Sequence, residues 1–254
     1  MRFLFIIMLL NSCVLFSQIN ESDVNKLQIN INATGNYQQG NVNILTLRNR
    51  LEFSSNPLDS LVFKSQNSSL YQEFSDIKAD FDIFSRNYLY YKPQRNLYPY
   101  AIGYISSNFR RKIDSRYFVG LGLTYQLIKK ENHSLKISAN TVYEETRFNG
   151  NIFNFDTFNG TNVINVWRSS LFLSGSHFLF NRKIKLYYTT YYQPTFNDAN
   201  NYRTQSDVGL DFPIWKGLAF NTLFTYTHEN VTIQKVKKDD RILTFGLSYN
   251  FKKK

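Results

Sequence analysis

Apolar and polar residues alternate with a period of two along almost the whole chain, which predicts strands whose two faces meet different surroundings. Leu121, Leu123, Tyr125 and Leu127 interleave with Gly120, Gly122, Thr124 and Gln126. Ile184, Leu186, Tyr188 and Tyr192 interleave with Lys185, Thr189 and Gln193, and Leu218, Phe220, Phe224 and Tyr226 with Asn221, Thr225 and Thr227. Such segments number about twelve, each with roughly the nine to eleven residues that cross a bilayer at a tilt plus some overhang. They fall near 27–35, 41–54, 60–71, 78–91, 97–109, 115–128, 134–147, 161–180, 183–195, 202–212, 217–230 and 240–251. An even count of antiparallel strands returns both termini to one side. The predicted fold is all-β, an antiparallel up-and-down transmembrane β-barrel.

The connectors carry the same phase. The even-numbered ones, Ser54–Asp59, Lys92–Asn96, Lys129–His133, Asn181–Arg182 and Pro213–Lys216, are compact and rich in turn-forming Pro, Asn and Asp. Among the odd-numbered ones, Arg147–Gly160 and Val231–Asp239 are longer. Short periplasmic turns and longer external loops are the barrel expectation. Aromatics collect near segment ends, at Tyr88, Tyr90 and Tyr91, Tyr98 and Tyr100, Tyr187 and Tyr188, Tyr191 and Tyr192, and Tyr249 and Phe251. Two interfacial girdles explain that distribution. A soluble β-sandwich would use the same rings as core, but leaves the turn asymmetry and both chain ends unexplained.

At the amino terminus, Met1-Arg2 is followed by an apolar run, Phe3 to Leu10, a polar break, and a second apolar piece, Cys13 to Phe16. A basic residue before a short apolar core predicts a secretory signal cleaved near Ser17 or Gln18, leaving 19–254 as one barrel domain. Lipidation at Cys13 is the rival, which Asn11 and the apolar residues beyond the cysteine oppose. Cys13 is the sole cysteine, so a mature chain without it has no disulfide, thiolate metal site or cysteine nucleophile. Mean hydropathy is mildly polar, as expected when only alternate residues face lipid. The 30 Lys and Arg against 19 Asp and Glu give a net charge of +11. These cations are dispersed through turns, loops and strand ends, a pattern that suits a charged lipid surface or a solvated exterior and not a nucleic acid.

The final strand, Thr244-Phe245-Gly246-Leu247-Ser248-Tyr249-Asn250-Phe251, resembles the terminal signal of bacterial outer-membrane barrels. That likeness implies insertion machinery and periplasmic chaperones as biogenesis partners, with Thr244, Gly246, Tyr249 and Phe251 carrying the signal. Gly35-Asn36, Gly40-Asn41-Val42, the strand Leu45 to Leu51, Tyr88-Leu89-Tyr90-Tyr91, Gly120-Leu121-Gly122 and Glu144-Glu145 together resemble the salt-induced outer-membrane protein family, which is catalogued as a domain of unknown function. The resemblance covers most of the mature chain. It implies a Gram-negative outer-membrane barrel with a link to osmotic stress, and it supplies no catalytic residue.

Strand parity places Arg48, Arg50, Glu52, Asp80, Asp82, Arg86, Lys136, Glu144, Arg168, Lys185, Arg203, Asp207 and Asp211 inside the barrel. Both signs are present in comparable numbers, so the groups either pair across the lumen or line a narrow selective channel. Phe84, Phe118, Phe172, Tyr187 and Tyr191 point inward by the same parity and narrow the bore. Asp80 and Asp82 share a face, as an acid-base pair would, but Arg86 on that face suits an ion-pair ladder equally. Glu144 and Glu145 sit at a strand's outer end, where both can be solvated. His133, His177 and His228 form no pair at metal-ligand spacing, and Ser174 and Ser176 point opposite to His177. Asn149, Asn151, Asn154, Asp156 and Asn159 could hold calcium, although amide-rich loops usually form turns.

No catalytic residue, cofactor or metal is expected. Three functional readings follow: a narrow channel for a small polar solute or an envelope-integrity protein; a surface-binding barrel acting through Arg147–Gly160; and a lipid hydrolase using His177 or His228.

Overall fold

In the computed structural model, which describes residues 19–23, 26–40, 43–58 and 60–253, the alternating segments become twelve antiparallel strands. They are β1 (Leu27–Gln38), β2 (Ile44–Leu58), β3 (Leu61–Phe74), β4 (Ile77–Tyr91), β5 (Leu97–Asn108), β6 (Ile113–Lys130), β7 (His133–Phe148), β8 (Val163–Leu179), β9 (Ile184–Pro194), β10 (Tyr202–Trp215), β11 (Leu218–Glu229) and β12 (Asp239–Lys253). The predicted signal peptide, 1–18, lies outside the described residues. Each strand pairs with its sequence neighbours, and the ring closes where β1 meets β12, with Leu27 opposite Lys253 and Gly35 opposite Phe245. Gly246 lies in that seam, where a Cβ would come within 2.1 Å of the Ala33 carbonyl oxygen, so only glycine allows this approach.

The faces are inverted relative to a water-soluble protein. In β12, Thr244 is fully buried while its neighbour Phe245 is 46% exposed. Buried positions elsewhere are largely polar or charged, and Leu47, Leu121, Leu123, Leu171 and Leu247 lie bare on the outside. An apolar outer band over a polar interior is what hydrocarbon as solvent selects. Register shifts fall toward strand ends, at Ser55/Leu58, Gln72/Glu73, Ser106/Asn108, Ile113/Ser115, Gln126/Ile128 and Pro213/Trp215. Parity therefore survives through the middle of the strands.

The mouth carrying the termini has short connections, such as the turns at Glu131-Asn132 and Lys216-Gly217. The opposite mouth carries the long loops 149–162, with a 3-10 turn at Asp156–Phe158, and 230–238. They are called here the terminal mouth and the loop mouth. One aromatic expectation is corrected. Tyr90, Tyr98, Tyr100 and Tyr187 are buried inside the barrel, with Tyr88 packed beside them, and do not belong to an outer girdle. The cause is parity: Tyr88 and Tyr90 share the inward face of Arg86, whereas Leu89 and Tyr91 alternate outward. Tyr192, Tyr249 and Phe251 are exposed on the outside.

Candidate functional site in the barrel lumen

At the terminal mouth the lumen is filled by residues 19–23, which belong to no strand. The Glu21 carboxylate accepts from Lys136 Nζ at 2.7 Å and Tyr98 Oη at 2.9 Å, and pairs with Lys64 Nζ at 3.5 Å. Lys64 also donates to the Ile19 carbonyl at 2.9 Å, and Lys136 to Asn20 Oδ1 at 2.5 Å. Ser22 Oγ donates to Gln126 Oε1 at 2.9 Å, Gln28 Nε2 to the Asn20 carbonyl at 3.2 Å, and Lys252 Nζ to Asp23 Oδ2 at 2.7 Å. Ile19, Glu21 and Ser22 are all buried. Burial alone would raise the Glu21 carboxyl, but the Lys136 and Lys64 charges outweigh it and hold it at about 2.

Beyond this segment one wall of the lumen is aromatic. Tyr98, Tyr90, Tyr100 and Tyr88 pack ring to ring, and Phe84, Tyr104 and Phe118 form a stack, with Tyr104 and Phe118 4.5 Å apart at 13°. Arg86 reaches from β4 across the bore, with its guanidinium over Phe84, Tyr104 and Tyr191 at 5.4–5.7 Å. Its Nε has no hydrogen-bond acceptor among the described residues. Arg50 pairs with Asp207 at 3.1 Å on the opposite wall. Arg50, Phe84, Arg86, Phe172, Gln205 and Asp207 line two chambers in common and so form the waist between them. The chamber toward the terminal mouth holds about 120 Å³ and that toward the loop mouth about 80 Å³, each room for several waters. Seven arginines and four carboxylates line the second chamber.

The loop mouth is crossed by an ionic network. Glu144 accepts from Arg168 Nε at 3.1 Å and Arg203 Nη2 at 2.5 Å, with Arg116 at 3.8 Å. Arg116 forms a bidentate pair with Glu229 at 2.7 and 3.0 Å. Arg111 joins Glu229 to Asp240, and Arg110 joins Asp240 to Asp80 at 3.1 and 3.2 Å. β4 is thereby tied to β6, β7, β8, β10, β11 and β12 across the lumen. Above the network, Phe148, Phe153, Val231 and Ile233 pack with Ile113 and Ile164 into an apolar cap. The two long loops meet there through a bridge between Phe153 and Ile233.

The structure places Arg48, Arg50, Glu52, Asp82, Arg86, Lys136 and Asp207 along the chambers, and Asp80, Glu144, Arg168 and Arg203 in the loop-mouth network. Lys185 and Asp211 stand opposite each other on β9 and β10, both buried, and Asn221 and Ser248 donate to Asp211. Glu144 is corrected: it is 1% exposed and shared by three arginines, not solvated. The histidine expectation is also changed, because the β7–β8 register sets His133 opposite His177, with their Nδ1 atoms 3.2 Å apart. His177 Nε2 meets the Tyr188 hydroxyl at 3.1 Å on the outer face, while Ser174 and Ser176 line the first chamber. His228 pairs with Asp239 at 2.9 Å. Asn154 and Asn159 satisfy loop backbone: Asn154 Nδ2 donates to the Asn230 carbonyl, its Oδ1 accepts from Thr232 N–H, and Asn159 Oδ1 accepts from Phe153 N–H. Residues 19–23 were not flagged by strand periodicity. Two lysines facing inward near the terminal mouth, with Glu52 and Asp207 as the wall carboxylates lining their chamber, were the available signal.

Among curated proteins none matches the sequence. Among solved structures, the NanC porin has a TM-score of 0.52 at 9% identity, covering 88% of this chain and 98% of that one. The translocator domain of autotransporter NalP from Neisseria meningitidis has a TM-score of 0.49 at 10% identity, covering 91% and 90%. The KdgM porin has 0.47 at 10%, covering 89% and 99%. At such identity the NanC likeness extends to the fold, that of an outer-membrane β-barrel. The family described as "Protein of unknown function, DUF481" matches residues 26–251, from the approach to β1 through the aromatic end of β12, and the chain belongs to it.

Proposed function

We propose that this protein is a non-enzymatic outer-membrane passage for small anions, closed at both mouths in its resting state, with the terminal mouth in the periplasm. The observation that carries the reading is the second chamber, where guanidinium groups outnumber carboxylates seven to four. Side-chain charge at close quarters sets which ions a narrow pore admits. The stacked faces of Phe84, Tyr104 and Phe118 offer apolar surface to the uncharged part of such a solute. Reconstitution into a planar bilayer tests this. Discrete anion-selective steps are expected, and Arg86→Ala should enlarge them while lowering selectivity. Absence of steps from the unaltered barrel, from Arg86→Ala and from a variant lacking 149–162 would overturn it.

The cross-lumen network supports a second reading, a sealed barrel that contributes to envelope integrity. That reading gains if all three proteins stay silent while loss of the gene makes the envelope leaky to detergents. The osmotic-stress link implied by the family likeness suits a passage that keeps the permeability barrier until opened. A deletion strain that grows like its parent at high salt would remove it. Enzyme chemistry has less support, because the barrel wall separates Ser174 and Ser176 from His177. A binding role for loop 149–162 also has less, since Phe153, Phe155 and Phe158 turn into the cap.

A further inference from the structure

Lys64 on β3 and Lys136 on β7 are buried in the wall of the terminal mouth. Within ion-pair distance, the only carboxylate either meets among the described residues is that of Glu21, which comes from outside the strands. Tyr98 on β5, fully buried, aims a third donor at the same carboxylate. Glu52 on β2 lines the same chamber but lies beyond ion-pair distance of both lysines, and buried ammonium groups without a contacting counter-charge are costly, so this part of the wall favours a bound anion whether or not residues 19–23 supply it. The three donors converge on one carboxylate as they would on a ligand.

We propose that Lys64, Tyr98 and Lys136 form a carboxylate-binding site, that the chain's own Glu21 fills it as a tethered ligand, and that a carboxylate-bearing solute displaces residues 19–23. The arrival of that solute through the lumen rests on the passage reading; the site itself does not. Displacement is concerted, because the ammonium groups holding Glu21 also hold the Ile19 carbonyl and Asn20 Oδ1. A competing carboxylate that captures both lysines severs four contacts together. Ser22–Gln126, Asn20–Gln28 and Asp23–Lys252 remain, and Asp23–Lys252 is part-exposed. The segment leaves as a unit and the first chamber opens to the periplasm.

The test uses the purified full barrel in detergent with Ile19→Cys in a Cys13→Ser background, labelled with a bulky thiol reagent and glutarate as probe. Labelling should be slow, rise about tenfold with glutarate as a charged contact is replaced, and rise less in sodium chloride of equal ionic strength. Adding Glu21→Gln should make labelling fast without glutarate, and Lys136→Gln should abolish the glutarate response. Fast labelling of the starting protein, or slow labelling indifferent to both glutarate and Glu21→Gln, would overturn the proposal. Bilayer recordings on Glu21→Gln combined with loss of 149–162 separate the two readings: labelling that responds while no current is detected keeps the site and removes the passage.

Discussion

The two mouths of this barrel are closed by different chemistry. At the loop mouth the closure is built into the wall: an ionic network ties seven strands across the lumen, and an apolar cap of two loops covers it. At the terminal mouth the closure is a short segment outside the sheet, held almost entirely by polar contacts to side chains of the strands. Apolar closure resists salt and pH, because it depends on area removed from water. Closure through one carboxylate can be competed away or titrated. The difference teaches that opening the loop mouth requires the wall network and two packed loops to rearrange, whereas opening the terminal mouth requires only the release of one short segment.

The largest expected effect comes from Glu144→Gln, which removes the carboxylate shared by Arg116, Arg168 and Arg203. Leaving buried guanidinium groups uncompensated costs roughly 3 kcal/mol or more, read as a lowered guanidinium midpoint of the barrel in micelles. An unchanged midpoint would mean that the network does not brace the loop mouth. Next, Phe153→Ala empties the centre of the cap, at a cost of about 3 kcal/mol confined to the loops. Proteolysis within 149–162 should accelerate at every salt concentration while the strands stay resistant. If this change also frees the Ile19→Cys thiol, the two closures are coupled and the contrast between them fails.

A smaller and conditional effect follows from pH. Glu21 is held at about 2 against an ordinary value of 4.5, so its contribution to docking is complete above about 4.5 and lost as pH falls through 2. The cations facing it are Lys64 from β3 and Lys136 from β7, with Tyr90 from β4 and Tyr98 from β5 beside them, and the other carboxylates near it are Asp23 of the same segment, paired with Lys252, and Glu52 of β2. In an Asp23→Asn background, reactivity of the Ile19→Cys thiol toward a pyridyl disulfide, divided by that of a free cysteine peptide in the same buffer, should be flat from pH 7 to 5 and climb below, and Glu21→Gln should remove the climb. A climb that persists in Glu21→Gln would assign the acid response elsewhere. Least of all, Arg182→Ala at a terminal-mouth turn breaks a part-exposed pair with Glu131 and should move the midpoint by about 1 kcal/mol or less. A larger shift would show that rim charges brace the terminal mouth.

Much of this architecture was legible in the chain because a strand's two faces write a period of two. Twelve segments, their closure into a barrel and the inward course of Thr244 or Arg50 all follow from it. The tyrosines show where a competing rule misled: position near strand ends read Tyr90 and Tyr98 as interfacial, although the parity of Arg86 already turned Tyr90 inward. Cross-strand partnership was not legible. His133 meets His177 through the β7–β8 register, and Arg116 meets Glu229 across the lumen, at separations of 44 and 113 residues, and no local pattern encodes such distances. Residues 19–23 were invisible for another reason. Five residues held by side chains have no periodicity to read.

The docking of that segment also dates the last step of assembly. Apart from the local Gln28–Asn20 contact, it is held from β3, β5, β6, β7 and β12, by bonds spanning up to 229 residues, so the cradle does not exist until the circle of strands is complete. Contacts of such range form late. The chain therefore carries its own certificate of completion. In a refolding time course the Ile19→Cys thiol should become shielded only after the compact, heat-modifiable gel band has formed, and shielding that precedes the band would reverse the order.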